Sequence, residues 1–330
     1  MKPFAYVAAG SLAEAVDAHG GRPGSRYLGG GTNLVDLMKL GVERPDTLVD
    51  LTRLPLDAIE ETADGGLRVG SGVRNSDFAA HPLVAARYPV VSQALLAGAS
   101  GQLRNAATTG GNLLQRTRCS YFQDISKPCN KREPGSGCGA RDGVHRDHAV
   151  LGHSAHCIAT QPSDLAVALA AVDAQIELRG PQGLRTVPAT TFHRLPGDSP
   201  EQDTVVVPGD IVTAVLLPPG PAGLPSRYRK VRDRASYSFA LASVAAVLDL
   251  DAGRVRHVAV CFGGLAHRPW RATITEERLR GAVPTQEAVR QAVEAELLQA
   301  QPLRDNGYKV GLAKNLACDV LDTLVRSASA

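Results

Sequence analysis

The sequence predicts an α+β protein in two parts, an N-terminal region to about residue 220 and a smaller C-terminal domain. Three observations carry that prediction. Short strand and helix candidates follow one another through the first part. The run Pro218–Pro219–Gly220–Pro221 is the clearest linker in the chain. Beyond it, two strand-like runs precede two amphipathic helices. With 330 residues, 44% of them hydrophobic and 21% charged, the chain has enough apolar material for real cores.

Taken in order, the N-terminus reads as a short strand and then a helix over Ser11–His19. Ser11 and Glu14 are spaced as a capping box and Gly20–Gly21 as the stop. Arg26–Tyr27–Leu28 leads as a strand into a glycine loop. A helix follows, with Leu34, Leu37, Met38 and Leu40 on one face and Gly41 at its end. Thr47–Leu51 and Leu67–Val73 are strand candidates, the second after the turn Asp64–Gly65–Gly66. Tyr88–Ala99 reads as a helix. From about Arg116 to His156 the chain is polar, rich in Gly, Pro, Asp and Arg, and without period; a loop that long is uncommon unless it has a function. Regular structure resumes with the helix DLAVALAAV and the strand QIELRG. After the linker, SYSFALASVAAVLDL and RVRHVAVCFGG read as strands, the first also compatible with a helix. Thr285–Ala300 and Val310–Arg326 complete the chain as helices.

Composition excludes some classes. The formal net charge is only +3 and basic residues form no runs interleaved with aromatics, so nucleic acid is not an expected partner. The N-terminal segment lacks the charged head and unbroken apolar stretch of a signal peptide, and no window is apolar enough to span a bilayer. The expected location is cytoplasmic, or periplasmic by co-export with a partner that carries a signal.

Two glycine-rich loops carry the binding chemistry. In Leu28–Gly29–Gly30–Gly31–Thr32–Asn33–Leu34, three glycines at a strand-to-helix turn let backbone N–H groups approach a ligand. A helix start just beyond suits a diphosphate. The spacing is not G-x-G-x-x-G and no Walker A sequence occurs, which speaks against a Rossmann dinucleotide fold and a P-loop. The second loop, Arg104 to Leu113, surrounds Gly110–Gly111 with hydroxyls and amides from Thr108, Thr109 and Asn112. Either loop alone reads as a turn; together they point to one shared phosphate-bearing ligand.

LGGGTNL at 28–34 and QLRNAATTGGNL at 102–113 resemble the two FAD-binding signatures of the flavin subunits of molybdenum hydroxylases, the group of xanthine dehydrogenase, carbon monoxide dehydrogenase and aldehyde oxidoreductases. Pro162–Ser163–Asp164 resembles the family's third element and Arg229–Lys230–Val231–Arg232 its Lys segment, so the likeness runs nearly end to end. It implies a two-subdomain FAD-binding domain of the vanillyl-alcohol-oxidase type at 1–220, split near 55, and a small α/β flavoprotein domain at 226–330. Gly29 to Asn33, with Leu28 and Leu34 flanking, would hold the pyrophosphate. Thr108, Gly110, Gly111 and Asn112 would hold phosphates and ribityl chain, and Asp164 and Lys230 would line the flavin. Read without the family, Asp164 is a helix N-cap and Lys230 a solvated residue.

Cys119, Cys129, Cys138 and Cys157 fall in the irregular stretch, with nine, eight and eighteen residues between them. Four thiolates suit either a [4Fe–4S] cluster or a structural zinc, and His145, His148, His153 and His156 keep a Cys/His zinc site open. The run CSYFQDISKPCNKREPGSGC is similar to an insertion in three-subunit bacterial aldehyde oxidoreductases whose flavin subunit carries an extra [4Fe–4S] cluster, which implies the iron–sulfur reading. The histidines are then polar surface or cluster-shell residues, and Cys261 and Cys318 are buried packing residues.

The resemblance implies an electron-transfer flavoprotein. A molybdopterin-containing large subunit oxidises the substrate. Electrons pass through a [2Fe–2S] subunit to FAD and then to an external acceptor. No catalytic residue is assigned, and the chain alone is not expected to oxidise aldehyde. The competing expectations are a stand-alone flavin oxidoreductase, disfavoured by aromatics at 4% and no obvious catalytic His or Tyr beside either loop, and a zinc-stabilised scaffold without catalysis.

Overall fold

Parallel strands require a return connection, and here short helices supply it. In the computed structural model, which describes residues 1–328, β1 (Ala5–Ala8) and β2 (Ser25–Leu28) both pair in parallel with β3 (Thr47–Asp50). The returns are the helices Leu12–His19 and Leu34–Lys39. Ser11 caps the first, its Oγ accepting from Glu14 N at 3.1 Å, and Gly20 ends it at φ 58°. The capping box is displaced by one residue, because the Glu14 carboxylate accepts from Gly10 N at 2.7 Å and not from Ser11. The second helix buries Leu37 and Met38, but Leu40, expected on the same face, is 48% exposed because the helix has already ended at Lys39.

A five-stranded antiparallel sheet follows, in the order β4 (Ile59–Glu61), β5 (Leu67–Gly70), β8 (Ile211–Leu217), β6 (Gln175–Gly180), β7 (Gly183–Pro188). The third sheet has β9 (Ser226–Val231), β10 (Ala242–Asp251), β11 (Arg254–Gly263) and β12 (Trp270–Arg271), each antiparallel to its neighbour in space. The segment that was ambiguous between strand and helix is therefore the strand β10. It lacks polar alternation because both its faces are covered. Ala245 and Val247 belong to the core formed with the helix Asp164–Ala171, while Val244, Ala246 and Leu248 belong to the core under the helices Gln286–Leu297 and Tyr308–Ala328. The first core thus continues across the Pro-rich linker, and Tyr88 Oη ties the linker down by donating to Pro218 O at 2.8 Å.

The helix Asp164–Ala171 is buried on every side, as its unbroken apolar sequence requires. Its N-cap is Ser163 and not Asp164, since Ser163 Oγ accepts from Ala166 N at 3.0 Å. The same hydroxyl donates to Asn112 Oδ1 at 2.7 Å, coupling this helix to the second glycine loop. Ser163→Ala is expected to cost about 1–2 kcal/mol, read as a lowered urea midpoint; an unchanged midpoint would mean the cap carries no weight.

Candidate functional site

The two glycine loops meet. A Cβ on Gly30 would stand 2.0 Å from Ala106 O and 3.1 Å from Ala107 Cα, so the first loop lies backbone to backbone on the second. Gly31 makes the turn at φ 74°. The second loop is held from behind by the segment after β5, through Thr109 N to Val73 O and Gly110 N to Ser71 O, both 2.9 Å. Thr108 is a cap, its Oγ1 accepting from Gly111 N at 3.2 Å, and Gly110 packs on Ser71.

Beside the joined loops opens a cleft of about 430 Å³ whose walls include Thr32, Asn33, Gly111, Asn112, Asp164 and Lys230. The other predicted residues sit behind that wall: Leu28 ends β2, Gly29 to Gly31 make the turn, Leu34 opens a helix of only six residues, and Thr108 and Gly110 are buried supports. Asn33 and Asn75 each present the cleft with an amide whose buried atom has no protein partner, the donor Nδ2 of Asn33 and the acceptor Oδ1 of Asn75. Arg104, Arg118 and Arg234 also line it, opposed only by Asp36 beyond the Asp164–Lys230 pair. Buried unpaired polar atoms and surplus cationic charge fit a polar, anionic ligand such as a flavin dinucleotide.

Asp164 and Lys230 differ from their simplest sequence readings. Lys230 is no solvated residue: its side chain is 3% exposed, and Nζ lies 2.7 Å from Asp164 Oδ2, whose side chain is 8% exposed. Asp164 Oδ1 accepts from Tyr228 Oη at 2.5 Å. Burial and the adjacent Asp164 hold the Tyr228 phenol far above its ordinary value, so it stays a neutral donor. Tyr228 escaped the sequence reading, although its i, i+2 spacing from Lys230 would have placed both on one strand face. Tyr237 and Phe239, from the loop between β9 and β10, reach the cleft as well, and the Arg118 guanidinium lies 4.8 Å from the Phe239 ring centroid. These aromatics follow the glycine loops by more than a hundred positions, and local sequence gave no sign of them.

The four cysteines Cys119, Cys129, Cys138 and Cys157 line a single small cavity. An antiparallel backbone β-bridge pairs the main chain of Cys129 with that of Cys138, their thiols remaining free, and Asn130 Nδ2 donates to His156 O at 3.0 Å, bringing Cys157 alongside. Phe122 and Cys129 pack on Leu37, and Arg116 N donates to Asn33 Oδ1 at 2.9 Å, so the cavity adjoins the first glycine loop. Burial pushes the Cys119 thiol up to about 11 and the Cys157 thiol up to about 12. Of the four histidines only His148 meets a cysteine, at 3.2 Å from Cys119 Sγ. His153 bonds Gln301 O at 2.7 Å, His145 bonds Ala140 O, and His156 faces Asp198. Among the described residues no group of three or more His, Cys, Asp or Glu is placed to hold a metal ion. Cys261 is fully buried as expected; Cys318 is only half-buried, at the rim of the C-terminal core.

The chain belongs to the FAD-binding subunits of the molybdenum hydroxylases: residues 2–220 match the FAD binding domain in molybdopterin dehydrogenase and residues 226–325 the CO dehydrogenase flavoprotein C-terminal domain. It is 50% identical to the aldehyde oxidoreductase FAD-binding subunit PaoB of Escherichia coli, over 97% of this chain and 98% of that one. The carbon monoxide dehydrogenase medium chain of Hydrogenophaga pseudoflava is 28% identical over 94% of this chain and 93% of its own. A solved carbon monoxide dehydrogenase from that organism superposes with a TM-score of 0.77 at 27% identity, covering 98% of this chain and 97% of the other. This is thus the flavin subunit of an oxidoreductase complex. No described helix is long and apolar enough to cross a membrane.

Proposed function

We propose that the chain is the electron-transfer subunit of a molybdenum-dependent aldehyde oxidoreductase, holding FAD in the cleft and a [4Fe–4S] cluster on Cys119, Cys129, Cys138 and Cys157. One observation carries the FAD assignment: two glycine loops far apart in sequence form one wall, in which the Asn33 Nδ2 donor has no protein partner. Thr32, Asn33, Gly111 and Asn112 would contact the cofactor directly. Gly29, Gly30, Gly31, Thr108 and Gly110 would shape the backbone around it, with Leu28 and Leu34 anchoring the first turn. Asp164, fixed by Tyr228 and Lys230, would give the bound flavin a rigid polar neighbour in the cleft wall. When bound, FAD would take electrons from the [2Fe–2S] clusters of one partner, downstream of a molybdopterin-containing subunit, and release them to an external acceptor. In this reading residues 1–220 are the FAD-binding domain, in subdomains of about 1–55 and 56–220, and 226–330 the C-terminal domain.

For the cluster, support comes from four thiols drawn around one cavity in an otherwise irregular stretch. A four-iron core is larger than a single ion, and cysteines that hold one stand correspondingly farther apart. Buried thiols with raised pKa values are poor nucleophiles, and ligation is what would keep them deprotonated. Identity of 50% to an aldehyde oxidoreductase subunit supports aldehyde as the substrate class of the complex.

Aldehyde added anaerobically to the isolated chain should leave the flavin absorbance unchanged, while the assembled three-subunit complex should bleach it. Bleaching of the isolated chain at the rate of the complex would replace this reading with a stand-alone flavin oxidoreductase.

A further inference from the structure

We propose that His148 is a positioning residue for the cluster, donating from Nε2 to the Cys119 sulfur and thereby raising the cluster's reduction potential. The inference rests on the four-cysteine reading above. The ring nitrogen lies 3.2 Å from Cys119 Sγ. A thiolate bound to iron carries no proton, so the proton of this contact belongs to Nε2. The other ring nitrogen, Nδ1, is buried and has no partner, so no competing hydrogen bond turns the ring away.

The placement of this ring is built from the far end of the chain. Lys309, fully buried near the start of the C-terminal helix, donates from Nζ to Asp147 O and His148 O at 3.0 Å and to Gly264 O at 2.6 Å. Asn306, also fully buried, donates to Ala149 O at 3.1 Å. A buried cation satisfied by three carbonyls is an expensive device for holding a plain loop. Here it fixes the backbone on both sides of the one histidine that meets a cysteine. Donors at a ligand sulfur stabilise the more negative, reduced cluster and so raise its potential.

The test is a mediated redox titration of the assembled complex followed by electron paramagnetic resonance, with iron and acid-labile sulfide measured on every sample. His148→Phe with full iron content is expected to show a lower midpoint, and His148→Gln, which keeps an N–H donor of similar reach, a midpoint close to wild type. Lys309→Met is expected to shift in the direction of His148→Phe. A fully loaded His148→Phe with the wild-type midpoint overturns the role of His148 and leaves the cluster reading intact. Should His148→Phe lose iron, the wild-type complex decides: exchange into D₂O should shift the Fe–S stretching bands in resonance Raman spectra and reveal a deuteron coupled to the cluster. Absence of both signals overturns the proposal. Wild-type protein without iron and sulfide overturns the cluster reading and this inference together.

Discussion

Lys230→Met is expected to destabilise the protein by about 3–5 kcal/mol, because it leaves a buried carboxylate without its cation. The Lys230 and Asp164 side chains are 3% and 8% exposed and meet at 2.7 Å. Lys230 Nζ also donates to Ala97 O at 3.3 Å, so its loss removes one donor from the end of the helix Pro89–Ala97, whose carbonyl keeps Arg232 Nη1 at 2.8 Å. With the ammonium gone, Asp164 keeps only the Tyr228 hydroxyl at 2.5 Å. The double variant Asp164→Asn/Lys230→Met removes the stranded charge and should recover much of the loss. Urea unfolding followed by circular dichroism reads both values. A single-variant loss below about 1 kcal/mol, the range of exposed ion pairs, would mean the pair is solvated in solution.

The second large effect is at Gly30. Its missing Cβ would stand 2.0 Å from Ala106 O and 2.8 Å from the same carbonyl carbon. These are backbone atoms that cannot rotate away, so Gly30→Val must push the two loops apart. At Gly111 the near atom is Thr108 Oγ1 at 2.9 Å, part of a side chain able to turn at the cost of its cap. Flavin content of purified protein should therefore fall to near zero for Gly30→Val, and only in part for Gly111→Ala. Folded Gly30→Val protein with a full complement of flavin would refute the shared-wall account. Circular dichroism on the same samples separates loss of flavin from loss of fold.

The glycine loops were legible in sequence because their requirement is local: a backbone that must come close to something cannot carry a side chain. The cysteines were legible for the same reason, as an unusual concentration in a polar stretch. What brings them together is not local. The backbone pairing of Cys129 with Cys138 and the contact from Asn130 to His156 depend on backbone geometry that spacings of nine and eight residues do not encode. Lys230 read as solvated because β9 gives no apolar alternation. It is buried because the helix Pro89–Ala97 covers it, as Tyr228 N donating to Gln93 Oε1 at 2.8 Å indicates. Tyr228 was missed with it, since without a predicted strand the two could not be assigned to one face. Arg118, Tyr237 and Phe239 were missed for a further reason: the cleft wall they form is assembled from the edge of the cysteine stretch and the loop between β9 and β10. Asp164 was read as a cap because Ser163 and Asp164 are both good capping residues; the hydroxyl took the cap and freed the carboxylate for Tyr228 and Lys230.

The most direct test of the two-cofactor account is quantification of flavin, iron, acid-labile sulfide and zinc in anaerobically purified protein, alongside its absorption spectrum. About one FAD per chain, with about four irons and matching sulfide under a broad visible absorbance, is the predicted result. Zinc without sulfide, or protein free of flavin after gentle purification, would contradict it.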